Sequence, residues 1–384
     1  MQDGDLLDLD ITDVAHGGVF VARHEGRVVF VEGAIPGERV RVELTDTTKS
    51  AFWRADVVEV LDASPHRRPH VWAAADVSVP PADRPGGADF GHIERVHQRE
   101  LKTRVLLEAL ERFGGMTSPA ATMSEASPVL GAGGEIVDAE TADATRWRTR
   151  VSLHVDDAGR IGPFAARSHR VIETPDLPLA TSEIEEVVRS LDGFAPGRID
   201  LVQPSDGSVR VIVRPAPVAA PPARGGAQGR GRGGRPLRPR SVRAPEDPTA
   251  RESVIERVGG REFAVDAGGF WQVHRLAAST LTGAVRTALD AAGGVDPAAH
   301  HLDLYGGVGL FAAALAEAGG PATRVTSVEA DARATEHAGE NLAEWVGARA
   351  ETDRTDRFLA RLLAQGSAAE RARLAQGVVL LDPP

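Results

Sequence analysis

Residues 301–315 read His-Leu-Asp-Leu-Tyr-Gly-Gly-Val-Gly-Leu-Phe-Ala-Ala-Ala-Leu, and this stretch decides the fold of the C-terminal part of the chain. It predicts a short apolar strand that ends at Asp303, a glycine-rich turn, and an Ala/Leu-rich helix that begins near Gly309. Glycine allows the backbone to turn sharply and to come close to a ligand. The start of the helix presents free N–H groups and the positive end of the helix dipole.

The segments that follow extend this unit into a sheet. A second strand, Val325–Glu329, ends in a carboxylate 20 residues after Gly309, where it can accept hydrogen bonds from both ribose hydroxyls of an adenosine cofactor. A helix is predicted over about 331–346, and Gly377–Asp382 reads as a third, buried strand. Alternating strands and helices predict a parallel, doubly wound α/β sheet over residues 251–384.

The N-terminal part has a different pattern. Residues 5–62 read as five short strands with glycines and a proline at the turns, which predicts a small β-barrel over residues 1–65. Residues 72–214 contain further strand patterns and are interpreted as a central β-rich module. Residues 215–250 are rich in Pro, Gly and Arg and are predicted to be a disordered insertion, either merely solvated or in contact with RNA.

The composition excludes several kinds of site and of cellular location. The 384 residues carry a formal net charge of −11 and contain no cysteine, so disulfides, iron–sulfur clusters, thiolate zinc sites and Cys nucleophiles are excluded within this sequence. No metal ligand set is predicted. No apolar run is long enough to span a bilayer, and the acidic N-terminus does not resemble a signal peptide, so a cytoplasmic location without a membrane partner is expected.

The glycine turn alone does not distinguish between two cofactors. Gly307–Ala312 fits the loose G-x-G-x-x-A pattern of NAD-binding proteins. Three features favour S-adenosyl-L-methionine (SAM): Asp303 closes the preceding strand, Asp382-Pro-Pro ends a later one, and no hydride-transfer constellation is visible. SAM is therefore the predicted cofactor.

Four segments occur in a specific order: Phe270–His274, Asp303–Phe311, Val328–Asp331 and Leu380–Pro384. Together they resemble the uracil-C5 RNA methyltransferase family, which modifies uridines in ribosomal and transfer RNA. The N-terminal barrel resembles the TRAM domain, an OB-like RNA-binding module. The resemblance implies a class I SAM-dependent methyltransferase fold, Rossmann-like, preceded by the barrel and the central β-rich module.

The resemblance also implies roles for individual residues. Gln272, Tyr305, Glu329 and Asp382 would contact SAM, with Glu329 on the ribose and Tyr305 lining the pocket. RNA, either rRNA or tRNA, would be the partner of a monomeric protein. Phe52-Trp53 in the barrel is either a platform for bases or core packing.

Several positions depart from the family pattern. Gly306 stands where the family usually has Cys, Leu310 where some members have Asn, and His274 where Asn is usual. His274 is interpreted as a capping or packing residue. Pro85–Ala88 resembles the family's Cys-Gly-Gly-Cys segment without its cysteines, so no iron–sulfur cluster is expected and packing alone is predicted to hold that region.

The family mechanism implies a Cys thiolate that adds to uracil C6, so that C5 can take the methyl group, and a base that removes the C5 proton. Both lie downstream of an Asp-Pro-Pro-Arg motif, whereas this sequence stops at Pro384. A C-terminally truncated, inactive methyltransferase domain without catalytic residues is therefore predicted. Two alternatives stay open: an exocyclic-amine nucleic-acid methyltransferase, and a non-catalytic RNA-binding remnant.

Overall fold

A computed structural model describes residues 1–131, 133–219, 241–242 and 245–383. The chain forms two compact units. The barrel unit comprises Met1–Glu125, Glu140–Trp147 and Leu153–Phe194, and the sheet unit comprises Ala126–Ala139, Arg148–Ser152 and the chain from Ala195 onward. Residues 72–214, predicted as one module, contribute to both units, and the predicted domain limits stay predictions. Most of the predicted insertion at 215–250 lies outside the described residues.

Five strands close into a barrel at the start of the chain, in the order β1-β2-β3-β5-β4. They are β1 (Leu6–Val14), β2 (Phe20–His24), β3 (Arg27–Glu32), β4 (Arg39–Asp46) and β5 (Phe52–Asp62). Alternate residues of each strand, such as Val29 and Val31, are fully buried inside the barrel. The predicted N-terminal barrel is thus confirmed, because a two-residue apolar period places one face of every strand in the core.

The remaining elements are, in chain order, α1 (Arg95–Arg112), β6 (Val129–Leu130), β7 (Ile136–Asp138), β8 (Arg150–Val155), β9 (Ile161–Gly162), α2 (Ser182–Arg189), β10 (Gly197–Val202), β11 (Arg210–Pro215), β12 (Val218–Ala219), β13 (Ser241–Val242), β14 (Ser253–Val258), β15 (Arg261–Asp266), α3 (Ala277–Ala291), β16 (His300–Leu304), α4 (Leu310–Gly319), β17 (Arg324–Glu329), α5 (Ala332–Asn341), β18 (Ala348–Thr352), α6 (Thr355–Gln365), α7 (Ala368–Leu374) and β19 (Val379–Leu381). In the sheet unit β14 and β15 form an antiparallel hairpin.

The segment around Pro85–Ala88 is held by hydrogen bonds. The Arg84 guanidinium donates to three backbone carbonyls at 2.7–2.9 Å, those of Val57, Val77 and Val79. Nearby in sequence, the Trp72 indole N–H donates to the Asp176 carboxylate at 2.9 Å and ties two distant parts of the chain together. The prediction that packing alone holds this region is therefore incomplete, since directional hydrogen bonds also hold it.

A parallel four-stranded sheet with the order β18-β17-β16-β19 forms the centre of the sheet unit. The apolar face of α4 packs on it, with Ala312–Ala316 buried, and the predicted parallel α/β sheet is confirmed. The sequence analysis missed β18, so β19 is the fourth parallel strand and not the third.

Among the described residues, none of the helices has the length and apolarity needed to cross a bilayer. In the same part of the chain, no group of three or more His, Asp or Glu side chains is arranged to hold a metal ion.

Candidate cofactor site

Three of the four candidate cofactor residues lie at one edge of the parallel sheet. Leu304 pairs in register with Val328 on one side and with Leu381 on the other. The next residue of each strand is Tyr305, Glu329 and Asp382, respectively. Since parallel strands end at the same edge, the register brings these three residues together at the carboxyl end of the sheet, where α/β folds bind ligands.

The Glu329 carboxylate organises the glycine turn. One oxygen accepts a hydrogen bond from the Gly307 N–H at 3.1 Å, and the other accepts from the Asp331 N–H at 2.8 Å. Gly307 and Gly309 adopt φ angles of +53° and +88°, which favour glycine. The carboxylate thus fixes the turn and stands half-buried at its rim, placed to accept further hydrogen bonds.

Tyr305 sits in a strained backbone conformation at the same edge. Its φ is +65°, which is uncommon for a bulky residue, and its side chain is 40% exposed. Strain of this kind is found mainly where the surroundings and a function both require it. Its partial exposure leaves the ring available to line a ligand pocket.

Gln272 lies in the segment between β15 and α3. Hydrogen bonds from Thr149 and Arg150 hold this segment against the start of β8. The Arg150 guanidinium donates to the carbonyls of Ala267 and Gly269 at 3.0 and 2.8 Å. The Thr149 N–H donates to the Val273 carbonyl at 2.9 Å. No described hydrogen bond joins Gln272 to the other three candidates, so its place at the site stays a prediction.

The neighbours of Gln272 differ sharply in exposure. Trp271 is buried, whereas Phe270, an equally apolar neighbour, is 77% exposed. The His274 imidazole accepts a hydrogen bond from the Leu276 N–H at 3.1 Å, just before α3 begins. This contact orders the residues that lead into α3, but the helix itself has no side-chain cap, so a capping role for His274 stays a prediction.

Asp303 is buried beneath the turn. Its carboxylate accepts a hydrogen bond from the Ala312 N–H in the first turn of α4 at 2.9 Å. Burial, with the charges of Asp382 and Glu329, raises the pKa of Asp303 to about 7, although the Ala312 N–H and the Ser327 hydroxyl oppose the shift. Asp303 therefore changes charge in the neutral range, directly below the candidate site.

Two residues of the site were missed. The Asn341 side chain at the end of α5 donates to the carbonyls of Ala264 and Val308 and accepts from the Ala264 N–H, which fixes the glycine turn against β15. Asp353 follows β18, and its N–H donates to the Glu329 carbonyl at 2.9 Å. The position of Asp353 after a strand was a usable signal, but that strand itself was not recognised.

Leu310, where some family members have Asn, packs against the core of the sheet unit. It therefore contributes apolar contacts and has no polar group to offer a ligand.

Comparison with known proteins places this chain in a family. The TRAM domain family matches residues 2–58. An uncharacterized RNA methyltransferase of Streptomyces avermitilis is 37% identical over 373 residues, 93% of this chain and 80% of the relative. This chain belongs to the RNA methyltransferase family. A second member of this RNA methyltransferase family, from Streptomyces coelicolor, is 34% identical and matches 99% of this chain and 79% of its own length.

The RNA methyltransferase resembles two proteins whose targets are known. The 23S rRNA (uracil(1939)-C(5))-methyltransferase RlmD of Halomonas elongata is 34% identical over 221 residues, 54% of this chain and 40% of that protein. The structure of Pyrococcus abyssi tRNA (uracil-54, C5)-methyltransferase in complex with S-adenosyl-L-homocysteine has a TM-score of 0.53 at 17% identity, over 90% of this chain and 79% of that one. The second likeness confirms the predicted fold class.

Proposed function

We propose that this RNA methyltransferase uses SAM to methylate C5 of uridine in RNA, with rRNA as the expected substrate. The observation that carries the proposal is the convergence of Tyr305, Glu329 and Asp382 around a glycine turn at the carboxyl edge of the sheet. A monomer acting in the cytoplasm is part of the proposal.

The residues present fit SAM. A Cβ built on Gly307 meets nothing within 4 Å, so the backbone of the turn faces open space. Glu329 would hold the ribose hydroxyls, Tyr305 would line the pocket, and Asp382 and Gln272 would contact the remaining polar groups of the cofactor. SAM, when bound, supplies an electrophilic methyl group.

The acceptor chemistry needs a group that this sequence does not contain. The 384 residues include no cysteine, so they do not supply the thiolate that the resemblance implies for addition to uracil C6. We therefore expect these residues by themselves to bind cofactor and RNA without methylating uracil.

The release of tritium from RNA that contains 5-³H-uridine tests the proposal, because only substitution at C5 frees that hydrogen. The native gene product with SAM is expected to release tritium. Methyl incorporation without tritium release would instead support the exocyclic-amine alternative. Binding of RNA with no measurable binding of SAM would support the non-catalytic alternative.

Asp303 predicts a pH-dependent affinity for S-adenosyl-L-homocysteine (SAH). Its carboxyl, with a pKa of about 7, becomes anionic between pH 6 and 8, and an anion there attracts the ligand's ammonium group. The affinity for SAH should therefore rise about tenfold over this range, as if binding lowered this pKa by about one unit. Calorimetry at several pH values gives the slope, and Asp303→Asn should flatten it.

The proton balance checks the same prediction without a variant. Binding at pH 7 should release about 0.4 proton, the loss of occupancy when a pKa of about 7 falls by about one unit, and this appears as a dependence of the binding enthalpy on the ionisation heat of the buffer. Equal enthalpies in all buffers would contradict the role given to Asp303.

Phe270 is predicted to contact RNA. An aromatic ring that is 77% exposed, on a turn held rigidly by Arg150, can stack on a nucleotide next to the site. In the native gene product, Phe270→Ala should reduce kcat/KM for RNA about tenfold or more and leave the affinity for SAH unchanged. Phe113→Ala, at a ring that is 81% exposed in the barrel unit, is the matched control. Equal losses in both variants would argue against stacking at Phe270.

A further inference from the structure

A buried ion pair includes the arginine that holds the turn before Phe270. Glu256 on β14 is 6% exposed, and its carboxylate oxygen Oε1 lies 3.6 Å from Nη2 of Arg150 on β8. The Ser205 hydroxyl donates a hydrogen bond to the other carboxylate oxygen at 3.1 Å and accepts one from the Arg257 N–H at 2.9 Å. One side of the Glu256 carboxylate is thus fixed to the backbone of its own strand.

Charge, and not a hydrogen bond, joins the two side chains. Their separation of 3.6 Å is longer than a hydrogen bond. Within the described residues, three buried atoms have no hydrogen-bond partner here, namely Nε and Nη2 of Arg150 and Oε1 of Glu256. The remaining nitrogen, Nη1, donates to the carbonyls of Ala267 and Gly269. The guanidinium therefore depends on the charge of Glu256 for its position.

The two buried charges stabilise each other. Burial raises the pKa of the Glu256 carboxyl, and the charge of Arg150 and the Ser205 hydroxyl oppose the shift. Burial lowers the pKa of Arg150, and the charge of Glu256 opposes that shift. Loss of the carboxylate would leave the guanidinium buried without a countercharge, so the side chain would gain a reason to leave its present position.

We propose that Glu256 is a positioning residue for RNA binding, because it holds Arg150 in place and Arg150 fixes the turn that presents Phe270. The carbonyls of Ala267 and Gly269 directly precede Phe270 in the chain, so a guanidinium bound to both sets the direction in which the ring leaves the turn. The ring, 77% exposed, is then preorganised for stacking on a nucleotide. The inference rests on the proposed RNA substrate and adds a buried residue that contacts neither RNA nor cofactor.

Fluorescence anisotropy with a labelled, unstructured 20-nucleotide RNA tests this role on the full chain. Glu256→Gln keeps the shape of the side chain and removes its charge, and it should weaken RNA binding about fivefold. Removal of a negative charge would by itself strengthen binding to RNA, so a loss points to the turn. Glu262→Gln is the matched control, since it removes an exposed carboxylate that pairs with Arg257 on the same hairpin. It should change RNA affinity less than about twofold.

A double variant separates positioning from a merely structural role. If Glu256 acts through the turn, Glu256→Gln should add less than about twofold to the loss of RNA affinity that Phe270→Ala causes alone, because both substitutions remove the same stacking contact. Ser205→Ala is a milder second variant that keeps both charges. It should weaken RNA binding about two- to threefold, and again only when Phe270 is present.

Two results would overturn the positioning role: RNA affinity within about twofold of wild type in a folded Glu256→Gln protein, or losses that multiply fully in the double variant. If the melting temperature shows that Glu256→Gln does not fold, Ser205→Ala decides by whether its loss disappears in the Phe270→Ala background. Calorimetry with SAH on the same samples separates this inference from the proposed function. Normal SAH binding beside either overturning result leaves the proposed function intact, whereas absence of SAH binding in the wild-type chain would count against that function itself.

Discussion

Replacement of Gly306 with alanine is expected to lower the free energy of unfolding by about 2–3 kcal/mol. A Cβ at this position would lie 2.0 Å from the Ser327 hydroxyl oxygen and 2.9 Å from a carboxylate oxygen of Asp303. Neither neighbour can yield easily, because both are buried and the Ala312 N–H holds Asp303 in place. Urea unfolding of wild type and variant measures the loss.

Ser327→Ala should recover most of that loss in the double variant, since it removes the closest atom. The coupling also explains how this chain differs from the family, which usually has Cys at position 306: the Ser327 hydroxyl fills the space that a larger side chain would need. Gly283→Ala is the control, because a Cβ there meets nothing within 4 Å on α3. It should be neutral or stabilising by up to about 1 kcal/mol. Independent, additive effects of the two substitutions would refute the steric account.

Removal of the Glu329 carboxylate is expected to weaken SAH binding about 100-fold or more in Glu329→Ala. Two hydrogen bonds from ribose hydroxyls to a charged acceptor would be lost, each worth about 1.5–3 kcal/mol, and the turn would lose its contacts to Gly307 and Asp331. Glu329→Gln keeps the shape and one acceptor oxygen, so its loss should be smaller. Calorimetric titration with SAH gives the affinities.

Glu317→Gln supplies the matched control, since this glutamate is exposed on α4 and pairs with Arg286. It should bind SAH as wild type does. A melting temperature within a few degrees of wild type shows that a Glu329 variant is folded. SAH affinity within threefold of wild type in a folded Glu329→Ala protein would remove Glu329 from the ribose site.

The parts of the fold that the sequence predicted are those with a strong local pattern. The barrel strands alternate with a period of two, and the turn after Asp303 requires glycines at particular φ angles. The strand β18 escaped because Ala-Arg-Ala-Glu-Thr has almost no β-branched or aromatic residues, so its parallel pairing with β17 rather than its own propensity makes it a strand.

The site was predictable only as far as neighbouring positions in the chain define it. Glu329 ends one recognisable strand and Asp382 follows another, so their position at the sheet edge could be inferred. Asn341 fixes the glycine turn through contacts with residues 33 and 77 positions away, and such contacts leave no local signal. The exposure of Phe270 could not be predicted, because its apolar character is the same as that of buried Trp271 and the difference arises from a turn that Arg150 holds through hydrogen bonds.

The hydrogen bonds of Arg84 and Trp72 hold their part of the barrel unit without cysteine side chains. Guanidinium–carbonyl and indole–carboxylate contacts need no inorganic component to be delivered and assembled, and they are not lost to oxidation as metal–sulfur bonds are. With no cysteine in the 384 residues, peroxide has no thiol to attack here. Maturation of this region therefore makes no demand on cellular iron, and it should proceed equally well in aerated and in iron-starved cells.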